Sequence, residues 1–339
     1  MDNRKDRWTG LRTTSIATFL KNVKYFKGLL DGTIVEQPND AQTFGTLQHM
    51  YVLEQDKFKE TYVTLDYEKP RGEIQTSFCA FIADGLKQEP NTNIDILCSE
   101  AYKNCYKADK KSDEKIADES KKLYNNFKDY VRFLMYNDKE VINFSTYRYL
   151  KDTHQAIKDH KLASELMVEN PFTTEKHYNE TLVYWEYPQV LLYELPMVVK
   201  STIDKLVIDH ENKVIKLVDL KTTGDISEFA DHFKNPMYLG YKIQLACYWY
   251  AVEAFFKEQF PDKNIKDYVR KTYLVAVQSK NKWKELPVNC EVFPVSEKTI
   301  EEGFNIIEKA LVDIAWHFET NQWDHSRSYY EGNGENEML

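Results

Sequence analysis

The segment "IDKLVIDHENKVIKLVDLKTT", residues 203–223, constrains the fold more than any other part of the chain. Two aliphatic runs flank the polar stretch 210–213, which predicts two β-strands joined by a turn. Both runs also carry charges where a core strand would have none, because Asp204 opens the first and Asp219 and Lys221 close the second. A charge among aliphatic side chains is costly unless it is paired or holds a metal. These three charges therefore need an explanation.

The turn determines which residues of the two strands face each other. If it is centred on Glu211–Asn212, antiparallel pairing puts Asp204 directly across from Asp219. Opposed side chains on one face of a sheet are about 4.5–5.5 Å apart at Cβ. Lys221 lies two residues beyond Asp219 and projects from the same face, because side chains alternate along a strand. The hairpin therefore predicts that two carboxylates and an ammonium converge at one of its ends.

Two interpretations fit this convergence. Close aspartates repel each other as anions, which raises one pKa or recruits a cation, and a divalent ion that prefers oxygen, such as Mg²⁺, suits them. Lys221 could then stabilise a developing oxyanion or orient a metal-bound water. The alternative is an exposed hairpin end with an ordinary surface Asp–Lys pair, which contributes little. The hairpin alone leaves both interpretations open.

Composition indicates a large folded protein in a reducing compartment. The chain has 339 residues, of which 42% are hydrophobic and 14% aromatic, enough for a sizeable core and too many for disorder. No segment reaches the roughly 18 apolar residues of a membrane span, and the first residues lack the apolar core of a signal peptide. We therefore expect a cytoplasmic protein without membrane contact. Five cysteines without a CxxC pair predict a reduced chain with no zinc or iron–sulfur site.

The formal net charge of -9 limits how this chain could bind nucleic acid. A uniformly acidic surface repels DNA, because phosphate neutralisation dominates DNA binding. Any such site must be a local basic patch, effective over a Debye length of about 8 Å at physiological salt. The stretch "KNKWK" (Lys280–Lys284) interleaves a tryptophan with three lysines, which suits phosphate contact and base stacking. A basic loop after a strand is the alternative.

Hydrophobic periodicity outlines the organisation of the chain. Apolar residues at helical spacing predict helices over 14–30, 43–58, 114–133, 145–166, 238–260 and 298–320. Runs of Val, Leu, Tyr and Trp with turn breaks predict strands between 180 and 221 and at 271–278. We find no internal repeat and no Gly/Ser linker. We therefore predict one α/β domain over 1–330, with a helical insertion near 80–170 and a flexible tail over 331–339.

The predicted helix after the hairpin carries a polar pair. Gln244 and Tyr248 are four residues apart and share one helix face. Gln244 stands among aliphatic residues, where a polar amide needs a reason. A helix-surface glutamine beside an aromatic core stripe is the alternative.

Together these segments resemble the PD-(D/E)XK nuclease superfamily, in its RecB-like branch. The shared pattern is an Asp, some fifteen residues, Asp-x-Lys at a strand end, and a helix with Gln-x-x-x-Tyr. The segment "FGTLQHMYVLEQDKFKETYV" (44–63) is similar to the Gly-Thr-x-x-His segment of exonuclease VIII (RecE-type) and related phage nucleases. The blocks "VDLKTTGDISEF" and "YKIQLACYWY" resemble others of that group, and "SIATFLKNVKYF" resembles the opening helix of RecB-like nucleases. The resemblance runs with gaps from about Thr14 to Trp323.

The resemblance implies a restriction-endonuclease-like α/β core, with a central mixed β-sheet flanked by helices. It implies that His49, Asp204 and Asp219 are metal ligands. It also implies that the backbone carbonyl of Leu220 completes the metal shell and that Lys221 is the catalytic lysine. For His49, the preceding Gly45-Thr46 favours ligation over the alternative, a structural helix histidine.

Further residues are implied in substrate binding. Gln244 and Tyr248 would contact the DNA backbone or the catalytic lysine, and Gln244 belongs to the implied catalytic set as well. Thr222 and Thr223 match the group, although hydroxyls that cap a strand explain them equally well. The group often has an Arg where Thr202 stands, and Lys200 would supply that phosphate contact.

Two glutamates in the strand region before the hairpin are additional candidates. Either Glu180 or Glu194 could be a further acid of the metal site. A surface glutamate is the alternative for Glu194.

The resemblance implies a Mg²⁺-dependent DNA nuclease, in particular a phage-type double-strand exonuclease that acts in recombination and leaves 5′-phosphates. Mn²⁺ would substitute for Mg²⁺, one or two ions could bind, and no iron–sulfur cluster is expected. The expected setting is a bacterial or phage-infected host cell, with linear double-stranded DNA, a single-strand annealing protein and further copies of the chain as partners. Two alternatives are a structure-dependent endonuclease of repair or restriction on the same fold, and a non-catalytic DNA-binding module.

Overall fold

A computed structural model describes residues 8–108, 110–136, 139–187, 197–234, 240–278 and 288–332. The chain divides into two compact units, of which the first contains residues 1–54 and 152–339 and the second contains residues 55–151. Three features named from the sequence lie outside the described residues: Glu194, the stretch Lys280–Lys284, and positions 333–339 of the predicted tail.

Eight β-strands form among the described residues, six of them in the central sheet of the first unit. They are β1 (Trp8–Arg12), β2 (Tyr62–Thr64), β3 (Glu140–Ile142), β4 (Glu175–Trp185), β5 (Met197–Asp209), β6 (Val214–Thr223), β7 (Val269–Gln278) and β8 (Cys290–Val295). The central sheet has the order β1-β5-β6-β7-β8, and β4 also pairs with β5. The pairs β1–β5 and β6–β7 are parallel and the others antiparallel, so the sheet is mixed, as predicted.

Thirteen α-helices form among the described residues. They are α1 (Thr13–Lys21), α2 (Val23–Leu30), α3 (Asp40–Leu53), α4 (Gln55–Thr61), α5 (Glu73–Gln88), α6 (Ile94–Tyr106), α7 (Asp113–Met135), α8 (Phe144–Asp159), α9 (Lys161–Met167), α10 (Phe229–Lys234), α11 (Gly240–Gln259), α12 (Glu297–Thr320) and α13 (Arg327–Glu331). None of these helices is long and apolar enough to cross a membrane. Helices flank the mixed sheet, which confirms the predicted α/β class.

Three predicted helices are divided in the structure: the one over 43–58 is interrupted at Glu54, and the other two are divided by a residue that caps a new helix. Asn22 has an extended backbone, and its side chain accepts a hydrogen bond from the Tyr25 N–H, so α2 begins there. His160 caps α9 in the same way, by accepting a bond from the Ala163 N–H. Apolar spacing continues through both positions, which is why periodicity alone predicts one long helix at each place.

The second unit has its own core. Helices α5, α6 and α7 enclose a cluster of buried residues that includes Phe78, Ile82 and Leu97. Strands β2 and β3 form a separate two-stranded parallel sheet. The region 80–170 is thus largely helical where it is described, while a single domain over 1–330 stays a prediction.

The main core of the first unit lies between the sheet and helices α1, α11 and α12. Trp249 and Phe256 of α11 and Leu311 of α12 are buried in it together with Leu217 of β6 and Leu274 of β7. Strand β6 pairs with β5 over residues 214–218 and with β7 over residues 214–223. The end of β6, residues 219–223, is therefore held in the sheet through its β7 edge.

Gly303 allows α11 and α12 to approach closely. A Cβ atom at this position would lie 2.5 Å from the Lys242 carbonyl oxygen and 2.8 Å from the Ala246 Cβ. We expect Gly303→Ala to lower the free energy of unfolding by about 2–3 kcal/mol, although helix propensity alone favours alanine by about 1 kcal/mol. Urea unfolding measures this, with Asn305→Ala on the exposed side of the same helix as the control. An unchanged midpoint for Gly303→Ala would contradict the close approach.

Candidate metal centre

The register of the β5–β6 hairpin agrees with the prediction. Five pairs run from Lys205–Val218 to Asp209–Val214, and the next step of this register is Asp204 across from Asp219. Strand β4 pairs with β5 from residue 199 to residue 209, so β1 and β6 must share the other edge of β5. On that edge β1 pairs with residues 197–200 and β6 with residues 205–209. Asp204 therefore lies in the gap between two strand partners.

Three side chains from separate elements converge at this gap. His49 of α3 points its Nδ1 at Glu180 of β4, 3.4 Å from Oε1, and at Asp204, 3.7 Å from Oδ2. The possible ligand atoms of the three residues all lie within 4.8 Å of one another. An imidazole nitrogen with two carboxylates is a donor set that divalent metal ions accept. These three residues form the candidate metal centre.

The other ring nitrogen of His49 orients the imidazole. Its Nε2 donates a hydrogen bond of 2.8 Å to the Leu220 carbonyl oxygen, which leaves Nδ1 to face the carboxylates. Burial lowers the pKa of His49, but the carboxylates of Asp204 and Glu180 outweigh it, so the net pKa is raised. The Leu220 carbonyl thus already has a partner, and its role as a metal ligand stays a prediction.

Glu180 interrupts the ladder between β4 and β5. The neighbouring pairs Asn179–Lys205 and Thr181–Ile203 keep one register, so Glu180 faces Asp204. Its φ of 43° is in the left-handed region, which is costly for a non-glycine residue within a strand, and such strained positions cluster at functional sites. Its Oε1 is buried, lies 3.4 Å from His49 Nδ1 and makes no regular hydrogen bond among the described residues. A buried carboxylate oxygen of this kind fits a cation ligand.

Asp204 is held by its main-chain and helix neighbours. Its Oδ2 accepts the Leu220 N–H at 2.9 Å, and Tyr248 donates to its Oδ1 through a long hydrogen bond of 3.4 Å. Gln244 in turn donates to the Tyr248 hydroxyl at 2.8 Å. Burial raises the pKa of Tyr248 well above its ordinary value, so it stays a donor. The predicted Gln–Tyr pair therefore shares a helix face, and its tyrosine contacts Asp204.

Asp219 and Lys221 form a buried ion pair beside this cluster. The Lys221 ammonium lies 2.7 Å from Asp219 Oδ1, and the Asp219 side chain is 1% exposed. Burial raises the pKa of Asp219 to about 6, while Lys221 lowers it and Asp204 raises it. For Lys221 burial lowers the pKa, but Asp219 and Asp204 outweigh it and the net pKa is raised. Asp219 Oδ2 is buried without a hydrogen-bond partner among the described residues, which fits a cation ligand too.

The remaining predicted residues lie near the same strand ends. A Cβ atom at Gly45 would lie 3.3 Å from Thr222 Oγ1, so a small residue lets α3 approach β6. Thr223 Oγ1 donates to the Asp225 carbonyl oxygen and accepts the Asp225 N–H, which suits the strand-capping alternative. Lys200 is half-buried on β5, where it pairs with β1 and β4. Roles of Thr222 and Lys200 in substrate binding stay predictions.

The comparisons with known proteins assign no family. No family model and no curated protein sequence matches the chain. One similar solved structure is the crystal structure of a "putative exonuclease" from Eubacterium rectale, with 11% sequence identity and a TM-score of 0.45. The alignment covers 97% of this chain and 88% of that chain. A similarity of this size gives the chain neither a family nor an activity.

Proposed function

We propose that the chain is a metal-dependent DNA nuclease, and more specifically a phage-type exonuclease that degrades linear double-stranded DNA in recombination. The observation that carries the proposal is the cluster of His49, Glu180 and Asp204 with the buried Asp219–Lys221 pair beside it. Its sequence support is the resemblance of these segments to RecB-like nucleases. Together they supply ligands for a cation and a lysine for the chemistry.

The donor set fits a divalent cation such as Mg²⁺ or Mn²⁺. His49, Glu180 and Asp204 would hold it, and the unpartnered Oδ2 of Asp219 is an additional oxygen for the same ion or for a second one. When bound, such an ion lowers the pKa of a coordinated water and polarises the phosphate. His49 is oriented for this task by its bond to the Leu220 carbonyl.

The Lys221 ammonium lies beside the candidate metal centre and carries a positive charge that would act on the phosphate. Asp219 holds its ammonium from one side, and the ring of Tyr241 lies 5.7 Å from it. A fixed ammonium stabilises the negative charge that develops on phosphate oxygens in the transition state. Tyr248, which accepts a hydrogen bond from Gln244, donates one to the Asp204 carboxylate and so helps to orient this ligand.

The setting of this activity is part of the same proposal. The products would be 5′-phosphates and 3′-hydroxyls, and the DNA would approach through a local basic patch, since the formal net charge of the chain is -9. A single-strand annealing protein and further copies of this chain are the proposed partners. The cytoplasm of a bacterium or of a phage-infected cell is the proposed location.

Incubation with linear and with covalently closed circular duplex DNA tests the function. We expect Mg²⁺ to support degradation of the linear DNA while the circle stays intact, and EDTA to stop it. The Asp204→Asn variant, purified in parallel, controls for contaminating nucleases and should be inactive. Cleavage of the circle would favour the endonuclease alternative. No degradation in Mg²⁺ or Mn²⁺ would contradict the enzyme and leave the DNA-binding module.

A further inference from the structure

A buried lysine lies directly behind the candidate metal centre. Lys205 follows Asp204 on β5, and strand alternation directs its side chain to the opposite face of the sheet. The residue is 1% exposed, and its ammonium donates a hydrogen bond of 2.7 Å to Asn179 Oδ1. An ammonium is expensive to bury and a neutral amide compensates it only in part. A methionine would fill the same space at lower cost, so the lysine needs a reason.

Asn179 extends this contact to a third element. Its Nδ2 donates a hydrogen bond of 2.9 Å to the Leu53 carbonyl oxygen. Leu53 is the last residue of α3, where helix carbonyls have no partner within the helix. The two bonds therefore connect β5, β4 and the end of α3 in one bridge, Lys205–Asn179–Leu53.

Each of the three residues of this bridge is near a residue of the candidate metal centre in the sequence. Lys205 adjoins Asp204 and Asn179 adjoins Glu180, while Leu53 lies one helical turn after His49. The main-chain ladder between β4 and β5 is interrupted at Glu180 itself. The side-chain bridge thus spans the place where main-chain pairing between β4 and β5 no longer sets the distance between Glu180 and Asp204.

We infer that Lys205 and Asn179 are positioning residues, which hold His49, Glu180 and Asp204 at the separation that binds the cation. The inference rests on the proposed metal centre and goes beyond it, because neither residue faces the ion. Residues that orient metal ligands typically change metal affinity or activity by about 10–100-fold when they are replaced. If the two residues had a purely structural role, Mn²⁺ affinity would fall only to the extent that the substitutions unfold the protein.

The experiment measures Mn²⁺ affinity of the full chain without DNA, by electron paramagnetic resonance, beside urea unfolding in EDTA. We expect Lys205→Met to weaken Mn²⁺ binding by about 10–100-fold without lowering the unfolding midpoint. Lys216→Met is the matched control, because Lys216 lies on β6 of the same sheet and pairs with Glu175. Its Mn²⁺ affinity should equal that of the wild type.

Asn179→Ala is the second variant, and it tests the same bridge if Lys205→Met does not fold. Asn179 is exposed, so its loss should leave the fold intact and weaken Mn²⁺ binding to a similar degree. The inference would be overturned if a folded Lys205→Met or Asn179→Ala protein bound Mn²⁺ with wild-type affinity. It would also be overturned if Mn²⁺ affinity fell only in proportion to the unfolded fraction. If the wild type bound no Mn²⁺, the metal centre and the inference would fall together. If it bound Mn²⁺ but degraded no DNA, the proposed function alone would fail.

Discussion

Replacement of Asp219 by Asn is expected to remove the proposed nuclease activity and, in the absence of metal, to make the protein more stable. The activity should fall by more than about 100-fold, the upper range for residues that only orient ligands. The gain in stability follows from burial, which raises the pKa of Asp219 to about 6. The folded protein without metal thus carries an anion that the fold disfavours, and asparagine has no charge.

The sign of this effect depends on pH. The folded pKa of Asp219 is above its ordinary value of 3.8, so the folded state binds this proton more tightly than the unfolded state. The free-energy cost of holding Asp219 as an anion in the folded state is therefore small near pH 4, grows as pH rises, and is complete above about pH 6. Asp219→Asn should therefore be more stabilising at pH 7.5 than at pH 4. Urea unfolding in EDTA at pH 4 and pH 7.5 measures the difference.

Asp209→Asn is the matched control on the same hairpin. Burial raises the pKa of Asp209, but hydrogen bonds from Asn212, Thr174 and the Glu211 N–H outweigh it, so the net pKa is lowered. Asparagine should therefore destabilise the protein at this position and leave the activity unchanged. Adding Mg²⁺ should stabilise the wild type more than Asp219→Asn, because the variant keeps His49, Glu180 and Asp204 but lacks the additional carboxylate oxygen of Asp219. Equal destabilisation by both substitutions, or full activity of Asp219→Asn, would contradict the assignment of Asp219.

The parts of the site that lie within one hairpin or one helix are predictable from the sequence. A short turn and a side-chain period of two set the register, which brings Asp204 to the end of β6 near Asp219 and Lys221. Spacing by four residues likewise puts Gln244 and Tyr248 on one helix face. Strand register and the sharing of a helix face depend on local geometry, so few alternative arrangements of these residues are possible.

Relations between distant segments are not predictable in this way. His49 is linked to the hairpin only by the family resemblance, because helical periodicity does not say which residue a helix presents to a sheet. Glu180 is named only as an additional acid, since a glutamate within a strand normally has an extended backbone, whereas here its φ is 43°. The bond from Asn179 to the Leu53 carbonyl joins residues 126 positions apart, and no local pattern indicates it.

Lys221→Met should separate metal binding from catalysis. The Lys221 ammonium contacts Asp219 and does not belong to the cluster of His49, Glu180 and Asp204. Removing a positive charge beside a cation site does not weaken the attraction for the cation, so Mn²⁺ affinity should be equal to or higher than that of the wild type. DNA degradation should fall by about 10²–10³-fold, the usual loss when one transition-state donor is removed.

Paired measurements of Mn²⁺ binding and of linear-DNA degradation test this separation. Lys216→Met removes the same charge from the same strand, five residues earlier, and should leave both quantities near wild type. If Lys221→Met weakened Mn²⁺ binding as much as it lowered activity, Lys221 would be a support of the metal centre. If activity were retained, the transition state would have to be stabilised by other groups. Only a loss of activity with metal binding intact is consistent with Lys221 acting on the phosphate, because the cation would then be bound and the reaction still slow.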